Sequence, residues 1–471
     1  MREGRAAGGR LVVVSNRGPF RFKKNARGVQ AEKTIGGLVS ALDPLLRQTG
    51  GTWVAWDDQY RENDPLGSKV RVPLEQPEYV FSRLRLTDQD VKLFYQGFSN
   101  RTLWPLCHYF LNRCEFEKRH FERYREVNVR FAEAAHEEGR SGDTIFVQDY
   151  HLALVPSELR RLGTRSRIAF FWHIPFPSYD VFRVLPWREE LLRGMLDADM
   201  IGFHTRGYVR HFASCAVRLF GAKWDEAAET LHFGDRNIRL RACPLGIEFE
   251  EFERLALSPE CGEAARRIRK ALDTPIIILG ADRVDYSKGI IERLAGVERF
   301  LELYPEYRGR ISFIQISVPS RAEVPEYRTI IRAIDETVGR INGRFAEEGW
   351  TPIHYYTRAF QRRRLVAYYL AADIALLTPL RDGLNLIAKE YVACKPAEDG
   401  TLILSEFAGT ADEMEDALLV NPFDVDDVAR KLKIAAEMQA EERMRHMRRL
   451  RDHVAAHDIT WWRSEFLGEF F

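Results

Sequence analysis

The chain has 471 residues, of which 45% are apolar and 30% charged. At about 150 residues per domain, this is material for two to three domains with their own cores. Its 70 Lys and Arg nearly cancel 69 Asp and Glu, for a net charge of +1, which excludes a surface built for nucleic acid and an acidic disordered chain but allows a local basic pocket.

In chain order, strands are predicted at Leu11–Asn16, Thr144–Gln148, Ile168–His173, Met200–His204, Ile276–Gly280, Ile311–Ser317, Ile353–Thr357, Ile374–Thr378, Thr401–Ser405 and Leu418–Asn421. Several are unbroken Val, Ile, Leu and Phe runs, as expected of parallel strands covered on both faces. Helical spacing marks Glu117–His136 and Val425–His453. Apolar runs such as Ile276–Leu279 fall far short of the ~20 residues that span a bilayer. Leu11–Val14, after an Arg- and Gly-rich start, is too short for a signal-peptide core. The six cysteines (Cys107, Cys114, Cys215, Cys243, Cys261, Cys394) show no CxxC pairing and read as thiols of a reducing cytoplasm. Cys107 and Cys114 lack the nearby ligands of a metal pair.

Alternation of strand and helix implies an α/β fold with parallel sheets. Cys243-Pro244-Leu245-Gly246-Ile247 breaks the series, and new βα units begin at Pro275. The expected architecture is two doubly wound Rossmann-like domains, 1–245 and 246–457, facing each other across a cleft, with a terminal helix over 458–471. Open α/β sheets bind ligands beyond the carboxyl ends of their strands, so the residues after each strand should carry the chemistry.

Arg17 follows the first strand, though a surface salt bridge would also explain it. Gly36-Gly37 precedes a helix and would let backbone amides approach an anion. Asp149 and His173 end consecutive strands, a pairing harder to explain structurally than either alone. Arg283 and Lys288 share one loop after a strand and suit a diphosphate, the first as a fork and the second as a point charge. Arg321 follows the next strand. In Arg381-Asp382-Gly383-Leu384-Asn385-Leu386, Gly383 is expected to allow a tight turn, after which the amides of Leu384–Leu386 start a helix toward an anion. Glu390, one turn further, could hold a ribose; ordinary helix-surface charges at Lys389 and Glu390 are the alternative. Asp424-Val425-Asp426 has the form of a metal-holding DxD, but a helix N-cap explains it. The basic run Arg443–Arg451 reads as a solvated helix face. No GxGxxG, GxxxxGK[ST] or HExxH is present.

Taken together, Ser15-Asn16-Arg17, Gly36-Gly37-Leu38, Phe98-Ser99-Asn100 with Leu103-Trp104-Pro105, Gln148-Asp149-Tyr150-His151-Leu152, the His173–Pro177 loop, Arg283–Gly289 and Arg381–Tyr391 closely resemble the trehalose-6-phosphate synthases, retaining glycosyltransferases of family 20 with the GT-B fold. The motifs keep the family order over roughly residues 11–465.

The resemblance implies glucose transfer from a nucleotide sugar, usually UDP-glucose, to glucose 6-phosphate. The products would be α,α-trehalose 6-phosphate and the nucleoside diphosphate. Residues 1–245 would bind the acceptor and 246–457 the nucleotide sugar, with 458–471 packing back on the first domain. On the donor side, Arg283 and Lys288 would hold the diphosphate. Asp382, Gly383, Leu384, Asn385 and Leu386 would hold sugar and phosphates, Glu390 the ribose, His173 the 6-hydroxyl, and Gly36 and Gly37 the closing loop. Asp149 would position the acceptor, and Arg17, Tyr95, Trp104 and Arg321 would take its phosphate. Asp149, His173, Arg283, Lys288 and Asp382 are thus the expected catalytic set.

The family mechanism implies no protein nucleophile, unlike the paired carboxylates of glycosidases. It implies no metal and no cofactor, the nucleotide sugar being a substrate. Neither nucleic acid nor membrane is an expected partner. The expected location is the cytoplasm, and a homo-oligomer is left open. Base preference is not set, because the stretch Phe360-Gln361-Arg362 matches the family less well. Two rivals remain at this point: a glucosylglycerol-phosphate synthase using ADP-glucose and glycerol 3-phosphate, and a sugar-phosphate sensor without catalysis. Retention of Arg17, Tyr95, Trp104 and Arg321 speaks against the first, and of Arg283, Lys288 and Asp382 against the second.

Overall fold

A computed structural model describes residues 9–25, 28–34, 36–319, 325–468 and 470. Two compact units divide the chain: Met1–Pro244 together with Trp462–Phe471, and Leu245–Trp461.

The N-terminal unit is built on twelve strands: β1 (Leu11–Arg17), β2 (Phe20–Asn25), β3 (Gly28–Lys33), β4 (Thr52–Trp56), β5 (Lys69–Val72), β6 (Tyr79–Leu84), β7 (Thr144–Gln148), β8 (Arg167–Phe171), β9 (Met200–Phe203), β10 (Lys223–Asp225), β11 (Thr230–Phe233) and β12 (Arg236–Ala242). Ten form one sheet in the order β10-β11-β12-β9-β8-β7-β1-β4-β6-β5, and β2 and β3 pair separately as an antiparallel ribbon. From β12 to β6 every neighbour is parallel, while β5, β10 and β11 run antiparallel at the two edges. The central strands are fully apolar because both faces are covered: Leu11, Val13, Val14, Ile145, Phe146 and Val147 are all buried. The helix Lys118–Glu138 contributes Phe121, Tyr124, Val127, Phe131 and Ala135 to that core, a stripe at helical spacing.

The chain-terminal helix runs Ile459–Leu467, shorter than the expected 458–471. Phe470 lies beyond it, and Phe471 is outside the described residues. Within the N-terminal unit, Trp462 donates its indole N–H to the Cys243 carbonyl at 3.2 Å. Phe466 meets Phe171 and Phe146 at ring distances of 5.0 and 5.4 Å. Gly202 makes room for this packing, since a Cβ there would lie 2.4 Å from the Phe466 ring.

The C-terminal unit carries β13 (Ile276–Arg283), β14 (Ile311–Val318), β15 (Ile353–Tyr356), β16 (Ile374–Leu377), β17 (Thr401–Ser405) and β18 (Leu418–Val420), an all-parallel sheet in the order β15-β14-β13-β16-β17-β18. Side chains alternate between its faces. Ile277, Leu279, Ala375 and Leu377 join one buried cluster, and Ile278, Ile374 and Leu376 join another.

The expected single helix over Val425–His453 is two helices, Val425–Glu437 and Ala440–Ala456. Met438 and Gln439 are extended between them, with ψ of 127° and 147°. The break has a packing reason: Val428, Leu432 and Ala435 belong to one cluster, whereas Met447, Leu450 and Val454 belong to the other. One straight helix could not serve both faces of the sheet. Asp424 caps the first of these helices, accepting from the Asp427 N–H at 2.9 Å, which accounts for its place in the DxD-like triplet.

Candidate active site

In the N-terminal sheet, β1 leads outward through β4 and β6, and the chain then returns to place β7 on the other side of β1. The strand order therefore reverses between β1 and β7, and a crevice forms at their carboxyl ends. Arg17 is the last residue of β1, and Asp149 follows β7 directly. Register between β1 and β4 slips between Ser15 and Arg17, which brings Arg17 opposite Trp56. Its guanidinium lies 3.8 Å from the Trp56 ring and 5.4 Å from the Tyr95 ring, and donates to Asp58 at 3.2 Å. With 40% of its side chain exposed, this ion pair is weak, and the stacked fork is open to an anion.

Tyr95 sits in Val91–Leu103, wound as a π-helix; Trp104 at its end donates its N–H to Ser99 O, five residues back. Such windings are rare and recur at functional sites. Tyr95 stacks on His151 at 5.7 Å, and Trp104 lies 6.0 Å from Tyr150. Both aromatics predicted for the acceptor phosphate thus face the loop that carries Asp149.

Asp149 adopts φ 72°, a left-handed conformation that a short polar side chain tolerates better than most. Its Oδ1 accepts from the Tyr150 N–H at 2.9 Å and the His173 N–H at 3.1 Å. These amides fix the carboxylate's orientation and join the β7 and β8 strand ends. His173 Nε2 lies 2.9 Å from Gln148 Oε1. An amide oxygen only accepts, so Nε2 carries the proton and Nδ1 remains an acceptor. Burial pushes the His173 pKa down to about 3, so the ring is neutral at working pH. Gly36 is the extended residue before the helix Gly37–Thr49, whose first turn has no side-chain cap.

The C-terminal sheet reverses between β13 and β16. Lys288 reaches this point from the loop after β13, and Asp382 from the loop after β16. Lys288 Nζ donates to Asp382 Oδ2 at 2.6 Å, and Asn385 donates to the same oxygen at 3.3 Å. Arg283, by contrast, is exposed at the last residue of β13. The two cations of this loop therefore sit in different settings, one buried in an ion pair and one open to solvent.

Two expectations for the Arg381–Glu390 stretch are corrected. The left-handed turn falls on Asn385, at φ 86°, not on Gly383. The helix then begins at Leu386, not Leu384, because the Asn385 side chain caps it by accepting from the Ala388 N–H at 3.2 Å. Leu384 is occupied elsewhere: its carbonyl accepts from the Thr410 N–H and hydroxyl. The surface-charge alternative for Lys389 and Glu390 also fails. Lys389 is fully buried, 2.7 Å from Glu413 and 3.0 Å from the Leu245 carbonyl. Glu390 accepts from the Tyr369 hydroxyl at 2.8 Å, and burial raises its pKa to about 6. Arg321 lies outside the described residues.

Several residues of the site escaped the sequence reading. Trp56 and Asp58 flank Arg17, and His204 places its ring 5.3 Å from His173. Arg293 is fully buried and binds four groups: Asp282 at 2.6 Å, Thr378 at 3.0 Å, Gln315 at 3.1 Å and the Lys288 carbonyl at 3.4 Å. Gly280 is required beside it, since a Cβ there would lie 2.5 Å from Gln315 and 2.8 Å from Arg293. Only the acid at Asp282, ending an apolar strand, hinted at this cluster.

The model of glycosyltransferase family 20 matches residues 9–470. The chain belongs to glycosyltransferase family 20. Among relatives of this family, the trehalose-6-phosphate synthase of Mycolicibacterium vanbaalenii is 40% identical over 479 residues, 99% of this chain and 96% of that one. A solved E. coli structure bound with UDP-2-fluoro glucose superposes with a TM-score of 0.90 at 35% identity, covering 98% of both chains. A UDP-forming α,α-trehalose-phosphate synthase from Burkholderia xenovorans, in complex with glucose 6-phosphate, gives 0.89 at 36% identity over 98% of this chain and all 100% of that one. The two parallel-sheet α/β units are those of the family 20 GT-B fold.

Proposed function

We infer that this chain is a retaining glucosyltransferase that moves glucose from UDP-glucose to glucose 6-phosphate, forming α,α-trehalose 6-phosphate and UDP. The observation that carries the reading is the Lys288–Asp382 pair, 2.6 Å apart at the strand-order reversal of the second sheet. It is supported by relatives that are themselves trehalose-6-phosphate synthases over nearly their full length.

In this reading the donor's anomeric carbon–oxygen bond to the diphosphate breaks, and a bond to the acceptor's anomeric oxygen forms on the same face. The acceptor hydroxyl's proton passes to the departing phosphate oxygen, so atoms and charge balance without a protein nucleophile. The side chains position the reactants and stabilise charge. Lys288 and Arg283 meet the diphosphate as it gains charge. Asp382 and Asn385, with the amides at Leu386, hold sugar and phosphate, and Gly36–Gly37 brings a second helix start to the donor. Glu390 accepts from ribose hydroxyls, and His173 Nδ1 accepts from the sugar's 6-hydroxyl. Asp149 takes an acceptor hydroxyl. Arg17 exchanges Asp58 for the acceptor phosphate, with Tyr95 and Trp104 completing that pocket. No metal or further cofactor is given a role.

A cytoplasmic location is part of the proposal. It is supported by six cysteines that are all free thiols. Among the described residues, no helix is long and apolar enough to cross a membrane.

The test pairs UDP-, GDP- and ADP-glucose with glucose 6-phosphate and with glycerol 3-phosphate, measuring nucleoside diphosphate release. Release from UDP-glucose that requires glucose 6-phosphate is expected. Release only with glycerol 3-phosphate, or with neither acceptor, would overturn the reading.

A further inference from the structure

Glu390 is half-buried on the helix Leu386–Ala393, and one hydrogen bond holds its carboxylate: Oε2 accepts from the Tyr369 hydroxyl at 2.8 Å. Among the described residues no other group of the protein donates to this carboxylate, so Oε1 is left to accept from elsewhere. Tyr369 comes from a different element, the helix Arg362–Ala371, and is fully buried in the core cluster that also takes Tyr391. Burial raises its pKa well above the ordinary value, so the hydroxyl keeps its proton and acts as the donor.

A buried tyrosine needs some partner for its hydroxyl. Tyr391, the residue after Glu390, finds backbone carbonyls, donating to Asp373 at 3.1 Å and Ala372 at 3.4 Å. Tyr369 is given a carboxylate instead, whose partial burial is costly. Its ring is wedged edge-on against Tyr391 at 6.4 Å, so the donor itself has little freedom. A carboxylate held by one rigid donor keeps one orientation, and a fixed acceptor has less freedom to lose when a ligand arrives.

We propose that Tyr369 is a positioning residue for the donor nucleotide: by holding Glu390 Oε2 it presents Oε1 to the ribose hydroxyls. The proposal rests on the reading above in which Glu390 takes the ribose; Tyr369 itself touches no substrate.

The test measures binding of UDP, and of 2′,3′-dideoxy-UDP without the two ribose hydroxyls, to the full chain by titration calorimetry. Wild type should bind UDP more tightly. In Tyr369→Phe, a change of one oxygen atom, the dissociation constant for UDP should rise about tenfold, the scale of one lost hydrogen bond to a charged group, while that for the dideoxy analogue stays unchanged. In Glu390→Ala, which leaves Tyr369 nothing to hold, adding Tyr369→Phe should alter neither constant. In turnover, Tyr369→Phe should raise the donor KM with kcat and the glucose 6-phosphate KM unchanged, a split that a general loosening of the core would not give. Wild type that binds both nucleotides alike, or neither, would overturn the donor reading of Glu390 and the proposal with it. A wild type that prefers UDP would leave that reading standing; the proposal alone then falls if Tyr369→Phe keeps the full preference, weakens both nucleotides equally, or acts as strongly in the Glu390→Ala background.

Discussion

Lys288 and Asp382 have only 10% and 13% of their side chains exposed, so their attraction is weakly screened by solvent. Removing the ammonium takes away a charge aimed at the leaving diphosphate. Lys288→Ala should keep its fold and lower kcat on the order of 100- to 1000-fold, the cost of losing one such stabilising donor. Circular dichroism and steady-state kinetics check both halves; full activity would refute the assigned role. Glu390 gives a pH signature. Its pKa is raised from the ordinary 4.5 to about 6 by burial, so the carboxylate is ionised above that value and protonated below it. The donor KM should therefore rise as pH falls through about 6, and Glu390→Gln should flatten that dependence. The stability sign is opposite: the folded state holds this proton more tightly, so the group's contribution to stability declines as pH rises from 4.5 to 6. His173, with a pKa near 3, should add no inflection between pH 5 and 8.

Among the elements, the loop after β13 is shaped by packing as much as by ligand chemistry. Gly289 holds φ 60°, and a Cβ there would lie 2.0 Å from the Thr378 carbonyl. Gly289→Ala combines left-handed strain of about 1–3 kcal/mol with that clash, and should lower both the melting temperature and turnover. The Arg293–Asp282 pair is fully buried at 2.6 Å. Arg293→Met strands Asp282 and should cost about 3–5 kcal/mol in denaturant unfolding. Parallel strands such as β7 and β17 were legible because their apolar runs are unbroken on both faces. The edge strands β5 and β10, and β11 beside the latter, were not, being short and partly polar. β4 and β6 were also missed: β4 offers only the short apolar run Trp53–Trp56, and Ser82 and Arg83 interrupt that of β6. The break at Met438–Gln439 was hidden because helical periodicity continues in both halves; what divides them is which face of the sheet each half covers.

Across the whole molecule, each sheet reverses strand order once within its parallel core, and predicted site residues cluster at both reversals. Arg17, Asp149, Lys288 and Asp382 were legible because they end strands or lie in the loops that follow them, where side chains have no core to fill. Trp56, His204 and Arg293 were not, because their roles depend on neighbours far away in sequence. The near-zero net charge concealed the same division: Arg17 and Lys288 each face an acid in the folded units, Asp58 and Asp382. The central claim, transfer with retention from UDP-glucose to glucose 6-phosphate, is tested most directly by the proton NMR spectrum of the isolated disaccharide phosphate. The account predicts two α-type anomeric signals with small couplings; a β-type coupling at the transferred glucose, or no disaccharide from these two substrates, would contradict it.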